Sequence, residues 1–187
     1  MPNLSSAELK ELLERELPGV LQPTRPRTQP AEATASAEPA RKPRKGEEGP
    51  VDLLATDDAV VAADRLVDVA LFLRDKMGYT YLSNITATDY LADGVIEMVY
   101  HFYSLEGGGP AVIKVRVPRD AAEVPSLTPH WPGANLQERE AFDLFGVRFP
   151  GHPFLERIYM WDEFEGHPMR RDFPKQGDKY LSDDDEV

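Results

Sequence analysis

The 187-residue chain contains no cysteine. It therefore has no disulfide, no thiolate nucleophile and no cysteine ligand for an iron–sulfur cluster of its own. Basic residues are also scarce, since 21 Lys and Arg stand against 33 Asp and Glu and leave a net charge of −12. This balance argues against nucleic acid or an anionic membrane as the main partner, because both attract basic surfaces.

Long apolar runs are missing as well. No uninterrupted apolar stretch is long enough to span a bilayer, so work at a membrane would require another molecule to hold the chain there. The first 17 residues contain four glutamates, which is not expected of a signal or transit peptide.

Residues 22–50 lack aromatic side chains and contain six prolines. So little apolar surface cannot offset the entropy lost on ordering, and we interpret this stretch as a disordered linker or inserted loop. Its basic run, residues 41–45, is interpreted as part of a solvated tether. The chain then divides into an N-terminal helix of the domain (1–21), the linker (22–50), an α+β domain (51–128), and a signature helix with a C-terminal interaction arm (129–187).

Hydrophobic periodicity predicts an α+β fold, with a small antiparallel sheet that has helices on one side and an extended C-terminal arm. Residues 5–17 are predicted to form a core-facing helix, because Ser5 and Glu8 have capping-box spacing and the leucines share one stripe. A second helix is expected to start at a Thr56 cap and to end at Gly78.

Three short runs rich in aromatic and β-branched residues are predicted to be strands. They are separated by turn sequences, Asp93-Gly94 and Gly107 to Pro110. Consecutive strands joined by short turns indicate an antiparallel meander. The runs are 79–88, 95–103 and 111–117.

The most distinctive stretch is 138–174, which combines charge, aromatic residues and two copies of Gly-His-Pro, centred on His152 and His167. Glycine and proline are expected to hold each histidine in a turn or extended conformation. A short helix is predicted over 135–145, ended by a glycine, with Arg139 and Asp143 four residues apart and able to pair.

Glu140 and Asp143 are neighbouring carboxylates on this helix that could shift each other's pKa. The two histidines, with Glu138 or Glu140, raise the alternative of a metal site. The helix lacks the H-E-x-x-H or E-x-x-H spacing of a helical metal site, however, and no nucleophile motif accompanies it. Arg170-Arg171 beside Asp172 favours an interface salt bridge over an anion site. The residues therefore favour an assembly subunit with no catalytic, cofactor-binding or metal-ligating residue of its own. A free-standing metal-dependent hydrolase is the alternative from a different class.

The helix and the first turn after it have the pattern ERE-x-x-D-x-x-G-x-x-F-x-GHP from Glu138 to Pro153, and a second GHP block follows and ends at Pro174. This stretch closely resembles the C-type subunit of bacterial respiratory complex I, the proton-translocating NADH:quinone oxidoreductase. The resemblance covers about residues 51–174 and, weakly, the first helix. It departs from the family in the length of 22–50, which leaves the first helix loosely tied. It also departs in Met169 before the arginine pair and in an acidic tail at 183–186 that we expect to be solvated.

The resemblance implies a non-catalytic structural subunit of the hydrophilic arm, peripheral to the membrane on its cytoplasmic side. FMN and iron–sulfur clusters would be bound by partner subunits, and this chain would bind no cofactor or metal. It would pack against the D-type quinone-site subunit, which adjoins the B-type cluster subunit, and so support electron transfer from NADH to quinone. The interface residues carried over to this chain are Glu138, Arg139, Glu140, Asp143, His152, His167, Arg170 and Arg171.

The nearest alternative within the same architecture is the equivalent subunit of a membrane-bound energy-converting hydrogenase or of a ferredoxin-linked complex. Those assemblies share a related module with the NADH-oxidising complex. The residues of this chain alone leave the choice open.

Overall fold

Alternating apolar side chains build a four-stranded mixed sheet at the centre of the fold. The computed structural model describes residues 4–26 and 52–174. Its strands lie in the spatial order β1-β4-β3-β2, with β2, β3 and β4 as antiparallel neighbours and β1 parallel to β4. The predicted α+β fold and its meander are confirmed, but the sheet is mixed rather than purely antiparallel. The strands are β1 (Ala59–Val61), β2 (Tyr81–Tyr90), β3 (Val95–Tyr103) and β4 (Ala111–Pro118).

The parallel strand β1 occupies part of the helix that was expected to start at Thr56. Its three residues, Ala-Val-Val, are all buried, as expected of a strand covered on both sides. The hydroxyl of Thr56 accepts a hydrogen bond from the N–H of Asp58 at 3.2 Å and so shapes a turn instead of capping a helix. Helix α2 spans Leu66–Met77 after a short 3₁₀ turn. It ends at Gly78 as predicted, and this glycine has φ 70°.

One face of the sheet carries the hydrophobic core. Strand pairing places buried residues opposite one another, for example Met98 opposite Val115. Helices α1 (Ser6–Glu16), α2 and α3 (Ala134–Phe145) add their apolar residues to this same core. Leu9 and Leu13 of α1 belong to it, so the core-facing prediction is confirmed, and this helix is not loosely tied.

The other face of the sheet is held by charge. Glu97 of β3 is buried, and its carboxylate lies 2.7 Å from Arg116 Nε and 3.5 Å from Lys114 Nζ of β4. Arg116 also donates to the carbonyl of Leu54 at 2.6 Å. These pairs fasten the segment before β1 onto the polar side of the sheet.

Part of the predicted linker is ordered against the domain. The N–H of Gln22 donates to the carbonyl of Val60, and the carbonyl of Arg25 accepts from the N–H of Thr56. Backbone hydrogen bonds therefore hold the start of this linker or inserted loop beside β1 and the segment before it. The rest of it lies outside the described residues.

The segment after α3 is irregular but well connected. Its first residues run beside 122–126, with Val124 N–H donating to Arg148 O and Ser126 N–H donating to Pro150 O. From Val147 to Pro174 the chain forms turns and extended stretches without a helix. The predicted acidic tail lies outside the described residues. Within residues 4–26 and 52–174, no helix has both the length and the apolar character needed to cross a membrane.

Candidate functional site

Helix α3 is the element on which the signature residues are arranged. It follows Gly133 and ends at Gly146, close to the predicted bounds. Its residues at helical spacing, Ala134, Glu138 and Ala141, are buried together on one face. A glutamate therefore stands where helical periodicity would place an apolar side chain.

Glu138 is fully buried and accepts three hydrogen bonds from the chain just before the helix. They come from the hydroxyl of Ser126 at 2.6 Å, the N–H of Leu127 at 2.6 Å and the hydroxyl of Thr128 at 2.9 Å. Burial raises the pKa of Glu138, although these donors oppose the rise. The carboxylate thus fastens the first half of α3 to the proline-rich segment that leads into it.

The first Gly-His-Pro turn closes on the same half of the helix. The N–H of Phe154 donates to His152 Nδ1 at 3.0 Å, so the ring proton lies on Nε2. That nitrogen is 3.3 Å from the carbonyl of Asn135 and 4.0 Å from a carboxylate oxygen of Glu138. The His152 side chain has no exposed surface and acts as an internal tie.

Asp143, near the other end of α3, organises the following loop. One carboxylate oxygen accepts three successive backbone N–H groups, from Ile158 at 3.0 Å, Tyr159 at 2.7 Å and Met160 at 2.9 Å. The other oxygen accepts from Arg157 Nη1 at 2.8 Å. Burial of Asp143 favours its neutral form, but these donors outweigh that effect and lower its pKa. The ionised carboxylate is therefore the form that the fold stabilises.

Arg139 does not pair with Asp143, so that prediction from helical spacing is wrong. Its guanidinium donates instead to the carbonyls of Glu156 at 2.9 Å and Arg157 at 3.2 Å, and it lies 5.3 Å from the ring centre of Phe154. The loop brings Arg157 to Asp143 and offers four donors at once. A single exposed pair on one helix face contributes only about 0.2–0.5 kcal/mol and cannot match that arrangement.

The second Gly-His-Pro turn caps the C-terminal end of α3. The last four carbonyls of a helix have no partner within it and need outside donors. Here all four have one, and the positive charge of Arg170 also lies at the negative end of the helix dipole. The donors are the N–H of Gly146 to Phe142, Nδ1 of His167 to Asp143 (3.0 Å), the N–H of Met169 to Leu144 (3.1 Å) and Nε of Arg170 to Phe145 (2.7 Å).

The close approach of this turn requires glycine at 146. The residue has φ 75°, and a Cβ added there would lie 2.4 Å from Nε2 of His167. Burial lowers the pKa of His167, as do the charges of Arg170 and Arg157, against the bond to the Asp143 carbonyl. The neutral imidazole with its proton on Nδ1 fits this position.

The end of the described arm is fastened to the sheet by Asp89 of β2. This buried carboxylate accepts from the N–H of Arg171 at 2.8 Å and from Arg119 Nε at 2.8 Å. Arg119 also contacts Asp172, and its hydrogen bond with Asp89 raises the pKa of the guanidinium. The arm is thus held at both ends of α3 and at the end of β2.

Aromatic side chains point outward from the loop that Asp143 holds. Phe154, Tyr159 and Trp161 are 55%, 59% and 63% exposed, and we call these three the outer aromatic residues. Trp161 meets Phe164 edge to face with ring centres 4.9 Å apart, and Phe164 stacks on Phe173. Aromatic side chains are enriched at protein interaction sites relative to the rest of the surface.

The structure separates the eight predicted interface residues by exposure. Glu138 and Asp143 are buried and bind this chain's own backbone, so Glu138 can act on a partner only by positioning α3 and Asp143 only by positioning the loop. An interface role for the eight residues stays a prediction. The side chain of His152 is also buried; Arg139, His167 and Arg170 are half-buried with bonds to internal carbonyls; Glu140 and Arg171 are exposed.

Sequence reasoning missed the residues that complete these contacts, among them Asp89 and Arg119. The available signal was Asp89, a charged residue directly after the predicted strand 79–88. His152 and His167 contact opposite ends of α3 and do not meet. In the part of the chain that the structure describes, no group of three or more His, Asp or Glu side chains is placed to hold a metal ion.

The sequence family described as respiratory-chain NADH dehydrogenase, 30 Kd subunit, matches residues 59–179, which include the four strands, α3 and the arm as far as residue 179. The chain belongs to this family. The resemblance noted in the sequence is thereby confirmed.

Two relatives from this family are each similar to the chain over 117 residues. The C-type subunit of the NADH-quinone oxidoreductase of Moorella thermoacetica is 53% identical over 117 residues, covering 63% of this chain and 79% of the relative. The C-type subunit of the same enzyme from a Roseiflexus species is 48% identical over 117 residues, covering 61% and 67%. A solved structure of the membrane-bound sulfane sulfur reductase, an archaeal respiratory membrane complex, contains a chain that is 34% identical with a TM-score of 0.58, covering 63% of this chain and 71% of that one.

In this member of the 30 kDa subunit family, Asp143→Asn should release the loop while preserving side-chain size. The change removes the charge of a buried, hydrogen-bonded pair, so we expect the free energy of unfolding to fall by about 3 kcal/mol. Urea unfolding measures this loss, and amide exchange should become faster at Ile158, Tyr159 and Met160. Glu140→Gln, on the exposed side of the same helix, is the control and should stay within about 0.5 kcal/mol of wild type. Unchanged protection of the three amides would contradict the role assigned to Asp143.

The contribution of Asp143 should depend on pH in a defined direction. Its pKa is lower in the folded chain than the ordinary value of 3.8, so its stabilising effect is complete above that value and is lost as the pH falls through the folded pKa. Glu138 has the opposite effect. Its pKa is raised in the folded chain, so its contribution lowers the free energy of unfolding as the pH rises. The difference in unfolding free energy between wild type and Asp143→Asn isolates Asp143. It should be constant above about pH 5 and shrink at lower pH, and a difference that grows on acidification would be inconsistent with this.

Gly146→Ala should be more harmful than an alanine at another glycine of the same backbone conformation. Gly94 has φ 66° with nothing near its added Cβ, so Gly94→Ala should cost only the strain of about 1 kcal/mol. At Gly146 the new methyl group also displaces the ring of His167, and we expect a loss of at least roughly 2 kcal/mol. Thermal unfolding compares the two variants. Adding His167→Ala should recover part of the excess loss, whereas equal losses for the two alanines would refute the clash.

Proposed function

We propose that this chain is a non-catalytic structural subunit in the hydrophilic arm of a proton-translocating NADH:quinone oxidoreductase. In this proposal the chain packs against the D-type quinone-site subunit, near the cluster-bearing B-type subunit, and supports electron transfer from NADH to quinone. Membership of the 30 kDa subunit family and the names of the relatives support it.

The observation that carries the proposal is that the arm buries its acidic signature residues and exposes aromatic side chains. Glu138 and Asp143, the groups best suited to chemistry, face inward and are saturated by donors from this chain. Phe154, Tyr159 and Trp161 face outward. An acid that cannot reach a reactant acts as a structural tie, and exposed aromatic residues are typical anchors at protein interfaces.

Cofactors and location follow from the same proposal. FMN and the iron–sulfur clusters are bound by partner subunits, since this chain has no cysteine to offer a cluster. The chain lies on the cytoplasmic side of the membrane as a peripheral subunit and is held there by its partners. Electrons pass through the neighbouring subunits, and this chain helps to hold those subunits in position.

A second candidate rests on the structural relative. The similar chain in the sulfane sulfur reductase shows that this fold also occurs in a respiratory membrane complex with another activity. The corresponding proposal is the equivalent subunit of a ferredoxin-linked complex or an energy-converting hydrogenase. Nickel–iron in the purified assembly, or the lack of an NADH-oxidising flavin subunit, would favour it.

Affinity purification from native membranes tests the first proposal. Mass spectrometry of the purified complex should identify flavin, iron–sulfur and quinone-site subunits together with this chain. Trp161→Ala should weaken docking by roughly 2 kcal/mol and lower the yield of complex, because it removes an exposed anchor without touching the core. Leu105→Ala, at an exposed leucine in the loop between β3 and β4, is the matched control. Recovery of the chain only as a free monomer would overturn the proposal.

A further inference from the structure

We infer that the partner surface that docks on residues 154–165 is basic, with arginine or lysine side chains placed among the rings and acids of this segment. The inference rests on the proposed function, because it concerns the surface through which the subunit joins its neighbour. It adds the chemical character of the partner, which family membership does not supply.

The outward charge of this segment is entirely acidic. Its one basic residue, Arg157, is bound to Asp143 at 2.8 Å and is largely buried. None of the exposed acids of the segment forms an ion pair with any residue that the structure describes. These acids are Glu156, Asp162, Glu163 and Glu165.

The outer aromatic residues stand among these acids. Covering Phe154, Tyr159 and Trp161 with a purely apolar partner would bury neighbouring carboxylates without a counter-charge, which is unfavourable because each ion loses its hydration. A guanidinium or ammonium group avoids that cost, because it can lie over a ring and pair with a carboxylate at once. The chain already uses this geometry internally at Arg157, which pairs with Asp143 at 2.8 Å and lies 5.9 Å from the ring centre of Phe164.

The array is also formed before any partner arrives. The three N–H bonds to Asp143 fix residues 158–160, and the capped end of α3 fixes residues 167–170. A preformed surface loses little conformational freedom on binding, so charge complementarity translates into affinity and into faster association.

Two other occupants fit the surface less well. An anionic membrane would be repelled by the exposed acids and by the net charge of −12. A second copy of this chain, paired by two-fold symmetry, would place the same acids opposite each other. A basic polypeptide surface satisfies both the rings and the carboxylates.

The test neutralises charge without changing shape. The triple variant Asp162→Asn, Glu163→Gln and Glu165→Gln removes three exposed acids of the segment. The control, Glu11→Gln, Glu14→Gln and Glu106→Gln, makes the same change in net charge at exposed positions elsewhere. Both variants should keep the wild-type melting temperature, because none of the six carboxylates holds the core.

Each full-length variant is expressed with a tag in place of the native chain, and the complex is purified from membranes at roughly 50 and 300 mM salt. We expect the site variant to recover about fivefold less complex than the control at low salt. The wild type should lose yield as salt rises, whereas the site variant should change little.

The two proposals fail in different ways. If wild type and control recover the flavin, iron–sulfur and quinone-site subunits, and the site variant recovers them equally at both salt concentrations, the basic partner surface is refuted and the proposed function stands. If no tagged chain recovers those subunits, the proposed function is refuted and this inference with it.

Discussion

The buried carboxylate of Asp143 is the interaction on which the arrangement of the arm depends. It gathers three consecutive backbone N–H groups and one guanidinium around a single side chain. Those groups would otherwise face solvent in an irregular loop with no helix or strand to satisfy them. A loop bound in this way presents its aromatic side chains outward in one fixed arrangement.

Helix α3 is held along its length by similar bonds between side chains and backbone. Glu138 ties its first half to residues 126–128, and the second Gly-His-Pro turn supplies donors for its terminal carbonyls. The signature residues therefore bind backbone more than they bind one another. This explains why a segment dense in charge shows so few exposed ion pairs, and why its shape persists without regular secondary structure.

Local signals were sufficient for most of the secondary structure. The capping box of α1, the glycine ends of α2 and α3, and the alternation in β4 all depend on residues within a few positions of each other. β1 was missed for the opposite reason. Three apolar residues fit a helix or a strand equally well, and only pairing with β4, more than fifty residues away, decides between them.

The sequence by itself determined the family, the α+β class and the presence of a charged, aromatic arm, because composition and motif order do not depend on folding. Only the tertiary structure decided which way each group faces. Helical spacing placed Arg139 and Asp143 side by side, yet the carboxylate binds Arg157 and the loop instead. A buried charge takes the set of donors that satisfies it most fully, and in this chain those donors lie on a loop beyond the helix, where spacing along the sequence has no influence.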